Sequence, residues 1–265
     1  MPTPRPRFPT WTPGAGRWLE TERPNLTASV DHAAASGRYA HANHLAAAMY
    51  SFLRSAGHWD QALAIHQTAV TAARLDGDRL GQARALSDLG AMQRLTDDYP
   101  AATASLTEAI GLYRDLGRRL GEAMALNDLG AVQHVTGDYP AATATLTDAL
   151  DLYRDLGHRL GQAEALNRQG ELLLVSSSRD DARERHDQAL RLARELHNPL
   201  EEARALEGIG RCLIHARDTE DGVNHLQRAL TIYRRIGVPE TERVTATLAE
   251  FRSTTVVPDA TGDHE

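Results

Sequence analysis

Lysine is missing from the 265-residue sequence, so all 29 of its basic side chains other than histidine are arginines. This absence excludes Schiff-base chemistry on lysine and a phosphate-binding loop that depends on one. Cys212 is the only cysteine, which excludes an intramolecular disulfide and a four-cysteine metal site. Aromatic residues make up only 5% of the chain, and strands need more of them than helices do. The missing residue types therefore favour a helical protein and exclude several kinds of catalysis.

Long apolar runs are also missing, and no segment approaches the length of a membrane span. The first residues lack the apolar centre of a signal peptide, and a lone cysteine fits a reducing compartment, so we expect a cytoplasmic protein. The net charge is −7, and the arginines are scattered among acidic residues. Direct binding of nucleic acid is therefore not expected.

What the sequence does contain is a repeat. Residues 78–117 align without gaps to residues 118–157, and weaker copies occupy 38–77, 158–197 and 198–237. Apolar residues recur three or four positions apart in two stretches of each copy, which is the pattern of two amphipathic helices. Asp98-Tyr99-Pro100 lies between these stretches and is typical of a capped helix start. Each 40-residue repeat is therefore predicted to be a pair of helices.

One helix pair cannot bury its own apolar face, so the repeats must stack on one another. We predict an all-α fold, a right-handed α-solenoid of about five helix pairs with capping helices. Its predicted parts are a Pro-rich disordered leader (1–15), a solenoid (16–252) with an N-terminal cap (16–37) and a C-terminal cap helix (239–252), and a disordered tail (253–265).

The small and large positions of the two central repeats resemble the tetratricopeptide signature. These positions hold Leu126, Leu129, Gly130, Ala142, Leu146 and Ala149 in one repeat. The other repeats depart from it, with Gln169 in place of Leu, His186 in place of the large apolar residue and Gly222 in place of Ala. The resemblance implies a scaffold that binds another macromolecule and has neither enzymatic activity nor a cofactor.

A second resemblance covers residues 17–36. Trp18, Leu19, Glu22, Arg23 and Asn25 with Leu26 resemble the junction that follows the NTPase module in actinobacterial regulators of the SARP and STAND (NB-ARC) types. In those bacterial regulators the repeats form a C-terminal sensor arm. The 265 residues contain no phosphate-binding loop and no DNA-binding domain, so the resemblance implies the arm alone, as a fragment or a free-standing protein.

In tetratricopeptide folds the first helix of each pair lines a concave groove, and residues 40 apart form columns along it. One predicted column contains Ser87, Asn127 and Asn167. An amide both donates and accepts, so a ladder of such side chains can bind the backbone of an extended peptide. Ala91 and Ala131 beside it are small enough to leave room for that peptide. Ordinary solvated groove residues are the alternative.

The charge of the groove is predicted to change along its length. The basic residues of its first half are Arg54, Arg84, Arg94 and His134, whereas Leu174 and Ile214 lie in the second half. An acidic segment followed by a hydrophobic one would fit this polarity. Solvent-exposed scattered charge is the alternative interpretation.

We therefore predict a protein-interaction scaffold or regulatory arm that holds a protein or peptide in its groove. The alternative is a peptide or signal sensor of a bacterial transcriptional regulator. His41 and His44 lie one helical turn apart without a further ligand beside them, so no metal site is expected. The oligomeric state is open, with a monomer favoured.

Overall fold

The computed structural model describes residues 13–175 and 178–255, and within these ranges every regular element is an α-helix. Twelve helices follow one another in these ranges: α1 (Pro13–Ala35), α2 (Tyr39–Ser55), α3 (Trp59–Asp76), α4 (Arg79–Leu95), α5 (Tyr99–Asp115), α6 (Arg119–Val135), α7 (Tyr139–Asp155), α8 (Arg159–Val175), α9 (Arg179–Glu195), α10 (Pro199–His215), α11 (Thr219–Ile236) and α12 (Glu240–Thr255). None of these helices combines the length and the apolar composition that a membrane crossing needs.

The chain forms two compact units, residues 1–158 (unit 1) and residues 159–265 (unit 2). We call the first helix of each repeat the A helix and the second the B helix. The A helices are α2, α4 and α6 in unit 1, and α8 and α10 in unit 2; each packs against the B helix that follows it. All of these helices have 17 or 18 residues. The predicted helix pairs and their 40-residue period are confirmed.

The helix ends form where the sequence signals them. The side chains of Asp98 and Asp138 each accept a hydrogen bond from a backbone N–H of the first turn of their helix, at 3.2 Å. Several B helices end before a glycine with positive φ, such as Gly117 at 64°, because glycine enters this region without a steric penalty. His197 takes the corresponding position at the end of α9 with φ 52°.

In three of the helix pairs, a glycine of the A helix faces a leucine of the B helix. A Cβ added to Gly130 of α6 would lie 2.6 Å from Cγ of Leu146 in α7, and one added to Gly90 would lie 2.7 Å from Cγ of Leu106. Both leucines are fully buried. The absence of a side chain on the A helix therefore lets the B helix approach closely enough for leucine to fill the space.

Two repeats replace this leucine by histidine. His66 of α3 is fully buried beside Tyr50, with the ring centroids 5.6 Å apart. In unit 2, the ring of His186 lies directly against Gly170 and Gly208. Burial lowers the pKa of both imidazoles to about 4, so both are neutral at physiological pH. The apolar positions of the repeat thus tolerate a neutral ring of similar size.

The caps at the two ends extend further than predicted. α1 is one continuous helix that begins at Pro13, so residues 13–15 of the predicted leader are helical. α12 ends at Thr255, so residues 253–255 of the predicted tail are helical as well. Residues 1–12 and 256–265 lie outside the described residues. α1 packs on α2 and α3, and α12 packs on α11.

Candidate functional site

Three neighbouring A helices of unit 1 carry the predicted basic residues. α4 contacts both α2 and α6, so residues 40 apart lie on adjacent helices. Arg54, Arg94 and His134 occupy the last turn of α2, α4 and α6 and are partly exposed, while Arg84 is exposed in the first half of α4. The structure therefore places these basic side chains on adjacent helices of unit 1. We call the set Arg54, Arg84, Arg94 and His134 the cationic face.

The small residues predicted to leave room for a ligand do not line an open surface. Ala91 and Ala131 are buried, with 4% and 6% of their surface exposed. They lie one turn beyond Ser87 and Asn127 on α4 and α6. The space predicted for a ligand beside these alanines is therefore closed in this structure.

The two asparagines of the predicted ladder are also buried, which corrects their predicted placement on an accessible surface. Asn127 is 0% exposed and Asn167 is 2% exposed. Two other members of the column contact a tyrosine 26 residues further along the chain. In unit 2 the Tyr233 hydroxyl donates to Oε2 of Glu207 at 3.0 Å, and Glu207 occupies the same column as the asparagines. This column therefore faces the interior of the helix pair.

The surroundings of Ser87 indicate that the column also faces the interior of the helix pair in unit 1. Burial raises the pKa of the Tyr113 hydroxyl, and a contact with Ser87 acts in the opposite direction. Tyr113 lies 26 residues after Ser87, as Tyr233 lies 26 residues after Glu207. Sequence periodicity alone predicted that this column faces the solvent, whereas the structure places it in the interior of the helix pair.

Asn167 is fully engaged inside unit 2. Its Nδ2 donates to the backbone oxygen of Glu201 at 3.2 Å and to Oε2 of Glu201 at 3.0 Å. Its Oδ1 lies 3.1 Å from Nδ1 of His186, so in the neutral ring this nitrogen carries the proton and donates. Asn167 thus joins α8, α9 and α10 and has a structural role.

Asn127 has the opposite character. Within the part of the chain that the structure describes, neither Oδ1 nor Nδ2 of Asn127 has a hydrogen-bond partner. Asn167, by contrast, has Glu201 and His186 as hydrogen-bond partners. The same residue type therefore meets different surroundings in the two repeats.

The network around Asn167 continues through charged residues that the sequence did not identify. Glu201 is buried, and its Oε1 accepts from Nη1 of Arg204 at 2.9 Å. Nη2 of Arg204 donates to Oε1 of Glu240 at 2.9 Å. Burial acts to raise the pKa of Glu240, but the attraction of Arg204 outweighs it, and the pKa is lowered. Glu207 is likewise held by both terminal nitrogens of Arg243.

A sequence signal for this network existed but was ambiguous. Glu201 and Glu202 follow Asn198 at a helix start, where capping explains acidic residues. The structure shows that Asn198 is the cap, since its side chain accepts from the backbone N–H of Glu201 at 3.0 Å. The Glu201 side chain is therefore available to the interior of unit 2.

The predicted apolar half of the groove belongs to unit 2. Leu174 and Ile214 are partly exposed. Cγ1 of Ile214 lies 2.6 Å from the place where a Cβ on Gly222 would be. Ile214 is therefore in close contact with α11, and part of its apolar surface is used within the unit.

Metal and thiol chemistry find no support in the described ranges. No three His, Cys, Asp or Glu side chains among the described residues come together in a way that could hold a metal ion. Cys212 is buried, and burial raises the pKa of its thiol to about 11. The thiol is therefore protonated at neutral pH, which disfavours nucleophilic reactivity.

Solved structures share this architecture. A likeness covers 80% of this chain and 91% of BtubC (BKLC) from P. vanneervenii, at 17% identity and a TM-score of 0.63. A Rap protein complexed with competence and sporulation factor matches over 89% of this chain and 74% of its own, at 12% identity and a TM-score of 0.61. A putative kinesin light chain from Podosopora anserina matches over 75% of this chain and 96% of its own, at 10% identity and a TM-score of 0.56. These likenesses concern the fold.

The sequence itself matches a known family. A search of curated proteins found no match. The pattern of the tetratricopeptide repeat family matches residues 40–115, 121–195 and 161–235, which together span more than half of the chain. These segments coincide with the helix pairs and with the glycine-to-leucine packing described above. The chain belongs to the tetratricopeptide repeat family.

Proposed function

We propose that unit 1 binds an extended, acidic segment of a partner protein along its A helices. Tetratricopeptide repeat proteins generally bind proteins or peptides, and their fold is a non-enzymatic scaffold. The cationic face supplies the positive charge of three arginines on α2 and α4, with an imidazole on the adjacent α6, in a chain whose net charge is −7. Complementary charge favours an acidic partner and speeds its association.

Asn127 is the observation that carries this proposal. A buried amide without hydrogen bonds costs about 1–3 kcal/mol of stability, and its environment in unit 1 provides no compensation. A partner backbone can satisfy both amide atoms at once, since an asparagine offers two donors and an acceptor. Because Asn127 is 0% exposed, a partner can reach this amide only when the packing around it opens.

Unit 2 is a weaker candidate for the same role. The equivalent amide of Asn167 is already bonded to Glu201 and His186. A partner would have to break these bonds before it gained new ones. The proposal therefore assigns the peptide-binding role to Asn127 and a structural role to Asn167.

The two asparagines provide a matched test. Asn127→Ala removes unpaired atoms but leaves a small cavity, and these effects have opposite signs, so we expect the free energy of unfolding to change by less than about 1 kcal/mol while binding is lost. Asn167→Ala leaves His186 and Glu201 without their partner, so we expect about 1–3 kcal/mol of destabilisation. Urea denaturation measures both stabilities, and fluorescence anisotropy with peptides selected from a displayed library measures binding.

The charge of the selected peptides tests the cationic face. We expect the library to yield acidic sequences, and Arg84→Glu combined with Arg94→Glu to abolish their binding. Selection of neutral or basic peptides would contradict the proposal, as would unchanged binding by the Asn127→Ala variant. Glu164→Gln, on the A helix α8 of unit 2, is the control and should leave binding unchanged.

A sensor of a small free peptide, within a bacterial regulator, is the second candidate. The Rap protein with a similar fold is complexed with competence and sporulation factor. Affinity capture from lysate followed by mass spectrometry separates the two candidates. A defined protein that binds through Asn127 supports the first, and recovery of short peptides alone supports the second.

A further inference from the structure

A groove of about 490 Å³ lies between α1 and α2, apart from the cationic face. Its floor includes Ala33, which is buried, and the partly exposed Leu45. The α1 side presents Asn25, Ser29 and His32, which lie one turn apart from each other along the helix. None of the residues that line the groove is acidic.

Three basic side chains line the groove near the turn that joins the two helices. His32 lies in the last turn of α1, Arg38 precedes the first residue of α2, and His41 lies in the first turn of α2. All three line the groove and are exposed. Because the helices are joined by a turn of only three residues, these side chains are gathered at the closed end of the helical hairpin.

Arg38 gives this end of the groove a positive charge, and the polar groups nearby make local contacts, such as the Ser36 hydroxyl 3.4 Å from Nε2 of His32. Asn25 donates to Glu22 at 2.8 Å, and Ser29 donates to the backbone oxygen of Asn25 at 2.7 Å, so both are used within α1. Asp31 is the acidic residue beside His32 in sequence, and it does not line the groove. Arg38 makes no side-chain hydrogen bond to the start of α2.

We propose that this groove binds a phosphate-class oxyanion, either free phosphate or the phosphoryl group of a small organic ester. A phosphoryl group offers three acceptor oxygens and up to two negative charges, which matches one guanidinium and two imidazole donors better than a carboxylate does. The apolar floor formed by Ala28, Ala33 and Leu45 can contact the organic part of an ester. The site is independent of Asn127 and of the proposed partner segment.

Isothermal titration calorimetry on the full chain tests this site, with inorganic phosphate and phenyl phosphate as probes. The titrations use low ionic strength, where attraction between an anion and exposed basic groups is least screened. We expect saturable binding of one probe molecule per chain. Tighter binding of phenyl phosphate identifies an ester as the better ligand, and equal binding identifies free phosphate.

Matched variants distinguish a site from general attraction to positive charge. Arg38→Gln with His41→Gln should weaken binding at least about tenfold, because charge-assisted hydrogen bonds are lost. His44→Gln removes an exposed basic residue of α2 that does not line the groove, and it should change affinity less than about twofold. Circular dichroism verifies that all variants remain folded.

Three results would overturn the proposal. One is the absence of saturable binding by the wild-type chain. Another is an equal loss of affinity in the His44→Gln variant and in the double variant. The third is acetate binding as tightly as phosphate at the same ionic strength. The proposal matches three donor side chains to the three oxygens and two negative charges of a phosphoryl group, and acetate has fewer of both.

Discussion

At the scale of single residues, Gly130 sets how closely α6 and α7 approach. A methyl group there would lie 2.6 Å from Cγ of Leu146, which is fully buried and cannot move aside. We therefore expect Gly130→Ala to reduce the free energy of unfolding by about 1–3 kcal/mol through overpacking. Chemical denaturation followed by circular dichroism measures the change.

Gly111 is the matched control for this substitution. It lies inside α5, is exposed, and a Cβ added there would meet no atom within 4 Å. Gly111→Ala should stabilise the protein by about 0.5–1 kcal/mol, because alanine has the higher helix propensity. A destabilisation of similar size in both variants would show that the contact with Leu146 is not the cause.

Residue identity alone could not separate Asn127 from Asn167. Both occupy the same column of the repeat, and both follow the sequence Ala-Leu. Their difference lies in their surroundings, because Asn167 is bonded to Glu201 and His186, whereas Asn127 has no hydrogen-bond partner among the described residues. Periodicity identified the column correctly, but the burial of the column and the partner of each amide are tertiary properties that no local pattern specifies.

At the scale of helices, the turn after α9 contains a residue with a strained backbone conformation. His197 has φ 52°, where the other repeats have glycine, and a residue with a Cβ costs about 1–2 kcal/mol in this region. Glycine also makes the unfolded chain more flexible, which offsets part of the gain. We expect His197→Gly to raise the free energy of unfolding by about 0.5–1 kcal/mol.

The preceding residue provides the control for that prediction. Leu196 has φ −85°, in the ordinary helical region, so Leu196→Gly should destabilise the protein. Thermal unfolding and urea denaturation of both variants give the comparison. A lower midpoint for His197→Gly would contradict the argument that a left-handed residue without glycine strains this turn.

The helices themselves were largely predictable from the sequence. The 40-residue period, the aspartate caps and the glycines at the ends of B helices are local signals, and the structure places helix boundaries at them. The cap helices were less predictable, because α1 and α12 have no repeat copy to fix their limits. Pro13 can open a helix as readily as it can belong to a Pro-rich leader, and the structure shows it in α1.

At the scale of the whole molecule, the two units differ in how their polar groups are satisfied. Unit 2 joins Asn167, Glu201, Arg204 and Glu240 in one network, whereas Asn127 in unit 1 is without a partner among the described residues. Each unit nevertheless contains one buried histidine in the leucine column. The response to acid is therefore a property of both units.

The sign of this response follows from the depressed pKa values of His66 and His186. Each falls from 6.5 to about 4 on folding, so the unfolded chain binds more protons than the folded chain between these two values. The contribution of each neutral histidine to the free energy of unfolding is fully present above about pH 6.5. This contribution is lost as the pH falls towards 4, by up to about 3 kcal/mol for each histidine. Urea denaturation at a series of pH values measures this loss.

His66→Leu isolates the contribution of unit 1. Leucine occupies the equivalent position in three other repeats, as Leu106, Leu146 and Leu226. Neither ring nitrogen of His66 has a hydrogen-bond partner in the described ranges, so we expect the substitution to stabilise the chain by about 1–3 kcal/mol at neutral pH. It should also reduce the loss of stability between pH 6.5 and 4, because one of the two histidines with a lowered pKa is removed.

His44→Leu is the control, because it replaces an exposed imidazole on the same unit and should leave the pH dependence of stability unchanged. If His44→Leu changed that dependence as much as His66→Leu did, burial of the histidine would not be the cause.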